Sequence, residues 1–105
     1  MDDDTAFLRA EILKAVGQET RLRILELLRG GERCVCEIFP AIDQEQSNVS
    51  RHLNLMQKGG LLDRRKEGPK IFYSVRHPEV LEILDLAEAV LRKELEAGRR
   101  ALRSL

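Results

Sequence analysis

The 105 residues are enough for one domain spanning positions 1–105, near the size where burial alone is marginal and a partner chain helps. Hydrophobic residues make up 43% and charged residues 34%, with no 18-residue apolar run and no signal-peptide pattern in the opening MDDDTAF. This argues against a membrane span or export and points to a cytoplasmic protein. The formal net charge is zero, but it is unevenly placed: residues 1–46 carry six Lys/Arg against ten Asp/Glu, residues 47–76 seven against two, and residues 77–105 five against six. A basic block therefore lies between two mildly acidic ones, and local charge is what attracts phosphate.

Phe7, Leu8, Ile12, Leu13 and Val16 recur at three- and four-residue spacing, so residues 5–16 read as an amphipathic helix ended by Gly17. In TRLRILELLRGG, Leu22, Leu25 and Leu28 form a stripe that Leu27 widens. Thr20 stands as an N-cap and Gly30-Gly31 as a stop, giving a second, core-facing helix.

The only two cysteines, Cys34 and Cys36, come next, one residue apart. The cytoplasm keeps thiols reduced and one intervening residue would close a strained ring, so a disulfide is disfavoured. Metal binding, redox sensing and inert packing remain. Soft thiolates select thiophilic centres, and two within reach chelate one. Inside an α-helix, residues two apart point roughly 200° away from each other, so capture of one ion requires the helix start to unwind or re-aim. Pro40 lowers that barrier, because it cannot donate the backbone bond to the Cys36 carbonyl.

The short apolar EIFPAI is followed by DQEQSNVSRHLNLMQKGG, a helix with Val49, Leu53 and Met56 on one side and a stop at Gly59-Gly60. Two helices joined by a polar turn, the second rich in Ser, Asn and Arg at its start, form the pattern of a helix-turn-helix. Such a helix reads bases with residues near its N-terminus. Ser47, Asn48, Ser50, Arg51 and His52 supply the needed hydrogen-bonding types, and Gln46 caps the turn or reaches a base.

LLDRRK and KIFYSV flank EGP as a β-hairpin, with Ile71, Tyr73 and Val75 on one face. Arg64, Arg65, Lys66 and Lys70 around its turn are placed to follow a DNA backbone or enter a minor groove. Pro78 then opens a long helix carrying Val80, Leu81, Leu84, Val90, Leu91 and Leu95. His77, just before it, caps the helix or faces solvent. The fold class is mainly α with a β-hairpin wing, a winged helix-turn-helix. Its first and last helices carry more apolar surface than the domain can bury, which argues for a homodimer through them.

The segments LKAVGQETRLRILELL, CVCEI, QSNVSRHLNLMQKGGLL and RRKEGPKIFYSV together resemble the ArsR/SmtB family of metal-responsive repressors over nearly the whole chain. The resemblance implies a homodimeric repressor, not an enzyme, that binds double-stranded operator DNA, expected to be an inverted repeat, and leaves it when an inducer binds. Members similar to arsenite sensors carry Cys-Val-Cys where Cys34-Val35-Cys36 lies, which makes arsenite or antimonite the expected inducer, bound as a metal-type ligand by Cys34 and Cys36. Cadmium, lead or copper are the alternatives within the family. Many arsenite sensors have a third cysteine where Phe39 stands, so a third ligand must come from solvent, a small thiol or the partner chain. Zinc sensors use Asp and His on the last helices, where this chain has Val90 and Lys93, so no zinc site is expected there. A thiol redox switch is the alternative of a different class.

Overall fold

The computed structural model describes residues 2–105. In chain order the elements are α1 (Asp3–Val16), α2 (Glu19–Leu28), β1 (Arg33–Cys34), α3 (Val35–Ile42), α4 (Gln46–Lys58), β2 (Leu62–Glu67), β3 (Lys70–Val75) and α5 (Glu79–Arg103). The helices and hairpin lie where the hydrophobic spacing puts them, with three local differences. Helix α1 starts two residues earlier than the apolar stripe, because the Asp2 carboxylate accepts from the Thr5 amide at 2.7 Å and caps it. Helix α2 is capped by Gln18, whose side chain accepts from the Arg21 amide, and not by Thr20, which is buried inside the first turn. The third difference is β1, a two-residue strand that no alternation pattern could reveal.

β1 pairs antiparallel with β3, which also pairs with β2, so the hairpin is the larger part of a three-stranded sheet in the order β1-β3-β2. Arg33, Tyr73 and Arg64 lie opposite one another in one cross-strand row, and Cys34, Phe72 and Arg65 in the next. The wing tip turns at Gly68, whose φ of 58° is the left-handed region that glycine enters without a Cβ penalty. Asp43 adopts the same region (φ 58°, ψ 49°) at the end of α3. This reverses the chain sharply into α4 and sets the helix-turn-helix.

The core forms where α2, α3, α4 and the sheet meet. Ile24, Leu25, Ile38, Val49, Leu53 and Met56 are fully buried, joined by Leu61, Leu62 and Tyr73 from the wing. Each such aliphatic side chain contributes about 1.5–3 kcal/mol by leaving water. Helix α1 adds only Val16 to this cluster of buried residues, and α5 only Val80 and Leu84, from its first two turns. Phe7, Leu8, Ile12 and Leu13 of α1 and Leu86, Val90, Leu91 and Leu95 of α5 stay exposed. Arg29 braces α5 against α2 through an ion pair with Asp85 at 2.8 Å. No helix is long and apolar enough to cross a membrane among the described residues.

Candidate thiol site and nucleic-acid interface

Cys34 is the N-cap of α3, with extended backbone (φ −68°, ψ 144°), and Cys36 is the second residue of the helix. The geometry of two residues within one helix therefore does not apply, and no unwinding is needed to bring the sulfurs together. The chain turns from β1 into α3 at Cys34, leaving the two Cα atoms 5.1 Å apart, within the range a disulfide spans. The sulfurs are in bonding contact as a disulfide, contrary to the expectation from the sequence. The Cys34 sulfur also accepts from the Cys36 amide at 3.1 Å, while Glu37 reaches back to the Cys34 amide, completing a capping box. Cys34 is 4% exposed, whereas Cys36 faces outward. Pro40 sits inside α3, so the Cys36 carbonyl lacks its helical donor, as the sequence predicts.

Both cysteines border a cavity of about 290 Å³ between α3, α4 and the wing. Gln46, Ser50 and Asn54, one turn apart along α4, form one wall, and Arg64 and Lys70 from the two wing strands form another. Phe39, at the position of the missing third cysteine, lines the same cavity. Asn54 and Tyr73 join it although sequence reasoning did not single them out for this role. The i, i+4, i+8 spacing from Gln46 would have found Asn54.

Along α4, Gln46, Ser47 and Arg51 are exposed and Asn48 and Ser50 half-buried. The N-cap Glu45 makes no side-chain bond, so the first-turn amides are free to donate to phosphate. Asn48 donates to Gln44 at 2.6 Å and accepts from Arg51 at 3.0 Å; Gln44 in turn donates to Thr20 at 3.0 Å. This chain of bonds runs from buried Thr20 to the exposed guanidinium of Arg51. Nothing in the sequence signals it, because Thr20 and Gln44 are 24 residues apart.

His52 does not share that open face. It is 5% exposed, and its Nδ1 accepts from Arg21 Nε at 3.1 Å. Its position three residues after Val49 places it beside the buried stripe, a signal the sequence carried. Burial, and then the charges of Arg51 and Arg21, hold its imidazole below the ordinary histidine range.

On the wing, Arg64, Lys66 and Lys70 are exposed and have no ion-pair partner among the described residues. Arg65 differs. It bonds Glu32 at 2.6 and 3.1 Å and Glu67 at 2.7 Å, and lies over the Phe72 ring at 4.6 Å. These carboxylates hold its guanidinium more firmly protonated than usual, and the Arg65 hydrogen bond in turn holds Glu32 below the usual carboxylate range. Arg65 is thus already paired with two carboxylates and links β2 to Glu32, just ahead of β1.

Residues 18–64 match the family described as bacterial regulatory protein, arsR family. An HTH-type transcriptional regulator of Methanocaldococcus jannaschii is 44% identical over 80 residues, covering 75% of this chain and 90% of that protein. The chain belongs to the arsR family. It is a DNA-binding transcription regulator and not an enzyme. An arsenic resistance transcriptional regulator of Pseudomonas putida is 35% identical over 92 residues, 87% of this chain and 69% of that one. Among solved structures, a homodimeric winged helix-turn-helix DNA-binding domain from Mycobacterium bovis superposes with a TM-score of 0.77 at 31% identity, covering 92% and 93% of the two chains. The AntR antimony-specific transcriptional repressor gives a TM-score of 0.81 at 26% identity, covering 90% and 86%. The arsR-family fold is therefore the winged helix-turn-helix that the sequence predicts.

Proposed function

We propose that residues 1–105 form one domain of a homodimeric cytoplasmic repressor that binds double-stranded operator DNA at an inverted repeat. It leaves this site when a thiophilic metalloid, arsenite or antimonite foremost, is captured by Cys34 and Cys36. The observation that carries this reading is the convergence of both sulfurs at one edge of a cavity whose other walls are α4 and the wing. The likeness to regulators of arsenic resistance and to an antimony-specific repressor supports the choice of ligand.

In this reading Gln46, Ser47, Asn48, Ser50 and Arg51 meet base edges and nearby phosphates, and Arg64, Lys66 and Lys70 follow the backbone. His52 and Arg65 act behind them, seating α4 and the wing. The apolar faces of α1 and α5 form the dimer contact, and its two-fold axis matches that of the operator. Capture at the start of α3 reaches α4 through the Asp43 turn and the wing through β1, because Cys34 is paired with Phe72. Ligand then favours a dimer whose recognition helices are poorly spaced. A coupling of about 3 kcal/mol changes DNA affinity more than 100-fold.

The test is titration of arsenite into the reduced protein bound to promoter DNA, followed by fluorescence anisotropy. Release from the wild type but not from Cys34→Ser/Cys36→Ser supports the proposal; retention by both rejects arsenite. The sulfur–sulfur contact favours one second reading, a thiol redox switch in which oxidation to the Cys34–Cys36 disulfide releases DNA. Peroxide-driven release reversed by dithiothreitol, with no response to arsenite, would select it.

A further inference from the structure

Trivalent arsenic is satisfied by three thiolates, and Cys34 and Cys36 supply two. No group of three or more His, Cys, Asp or Glu side chains converges among the described residues, so the rest of the chain offers no ready third ligand. The cavity beside the sulfurs is open to an outside one. Its lining holds two cations, Arg64 and Lys70, and no Asp or Glu. Neither cation has an ion-pair partner among the described residues. Ser50 and Asn54 add hydrogen-bonding groups, and the apolar ring of Phe39 occupies the place of the cysteine that would otherwise close the coordination. At about 290 Å³ the space lies at the lower end of small-ligand pockets, which begin at roughly 300 Å³.

We propose that this cavity is a subsite for a carboxylate-bearing low-molecular-weight thiol, which donates the third thiolate to arsenic while Arg64 and Lys70 hold its carboxylate. The proposal rests on the arsenite reading above. Arsenous acid meets the two cysteine thiols and one small thiol; three As–S bonds form and three As–O bonds break. The three thiol protons leave with the three hydroxides as water, and arsenic stays trivalent. Where the cysteines are joined as a disulfide, two further equivalents of small thiol reduce them first. That exchange moves two electrons and yields the small thiol's own disulfide. Once bound, the carboxylate neutralises cations otherwise available to DNA phosphate, so the inducer also competes directly at the wing.

Three small thiols of similar size and different charge separate the outcomes: 3-mercaptopropionate, 2-mercaptoethanol and cysteamine. The reduced, DNA-free protein is titrated with arsenite in an excess of each, matched in thiolate concentration, and the arsenic–thiolate bonds to the protein are followed as ultraviolet absorbance in excess of a protein-free solution of the same arsenite and thiol. The arsenite concentration at half-saturation is expected to be about tenfold lower with mercaptopropionate than with mercaptoethanol, and highest with cysteamine. Arg64→Gln/Lys70→Gln, with its fold checked by circular dichroism, is expected to erase this order. Equal half-saturation in all three thiols overturns the subsite but leaves two-cysteine capture standing. So does a charge order that persists in the double variant. Absence of protein-dependent absorbance in every thiol overturns the arsenite reading itself.

Discussion

Arg21 on α2 donates from Nε to Nδ1 of His52 on α4, at 3.1 Å, and so binds the recognition helix to the scaffold through a histidine that must stay neutral to accept. Because the folded imidazole titrates below its ordinary value, the unfolded chain takes up the proton first as pH falls. Stability is therefore full above about pH 6.5 and declines as pH drops from there through the folded value. Thermal melts between pH 7.5 and 5.5 should show a falling Tm in the wild type and a flatter profile in His52→Gln. Loss confined to pH below about 4.5 would instead assign it to carboxylates such as Asp2 and Glu32, whose folded values are also lowered.

Gln44→Ala should weaken operator binding although the residue is not among the candidate contacts. The substitution removes the partner of both Thr20 and Asn48 and frees Arg51 from its support. The buried Thr20 hydroxyl is left without its bond, at a cost of about 1–3 kcal/mol. Urea denaturation reads that cost, and anisotropy with operator DNA reads the loss of orientation. Thr20→Val, which removes the hydroxyl itself, should be the milder change in stability.

The wing arginines should separate in salt dependence. Arg64→Ala removes a cation with no acidic partner, and the slope of log affinity against log salt should fall in magnitude by about 1. Arg65 is offset by Glu32 and Glu67, so Arg65→Ala should leave that slope nearly unchanged while loosening the Phe72 contact. Equal slope changes in the two variants would overturn the division of labour between them.

Phe39→Cys places a third thiol three residues after Cys36, on the wall of the same cavity. Arsenite should then bind without help from any added thiol, at concentrations at least tenfold lower than the wild type needs. Phe39 is half-buried against the core, so a loss of about 2–4 kcal/mol in stability is expected alongside, and denaturant titration checks it.

The exposed apolar face of α5 should be the easiest place to break the proposed homodimer. Leu91→Glu puts a charge into that face without touching the core of the domain. Light scattering after size exclusion should report a monomer with unchanged circular dichroism, and operator affinity should fall more than 100-fold as the two half-sites are no longer bound together.

How far the sequence could be read depended on the range of the interaction. Val49, Leu53 and Met56 announce α4 by their period, and all three are fully buried. Ile71, Tyr73 and Val75 announce β3 by alternation, with Tyr73 buried and its neighbours half-buried. Gln18 went unread as a cap because Thr20, a commoner capping type, stands two residues on. The role of Arg65 was hidden because Glu32 is 33 residues away, and only the folded wing brings them together. The placement of the thiols was misjudged for a related reason. A long-range pairing of two residues with β3 holds Cys34 extended, and no local preference marks where that strand gives way to α3.

That abrupt junction also limits how the site can be re-engineered. One residue inserted ahead of Cys34 would exchange the two cross-strand rows, moving its side chain to the other side of the sheet edge, since strand side chains alternate. There is no loop between β1 and α3 to absorb the shift. Surface loops elsewhere in a domain commonly accept insertions, but here the chain length is fixed on both sides of the thiols. Transplanting the sensor onto another winged helix would accordingly require moving the strand, the cap and the helix as one piece.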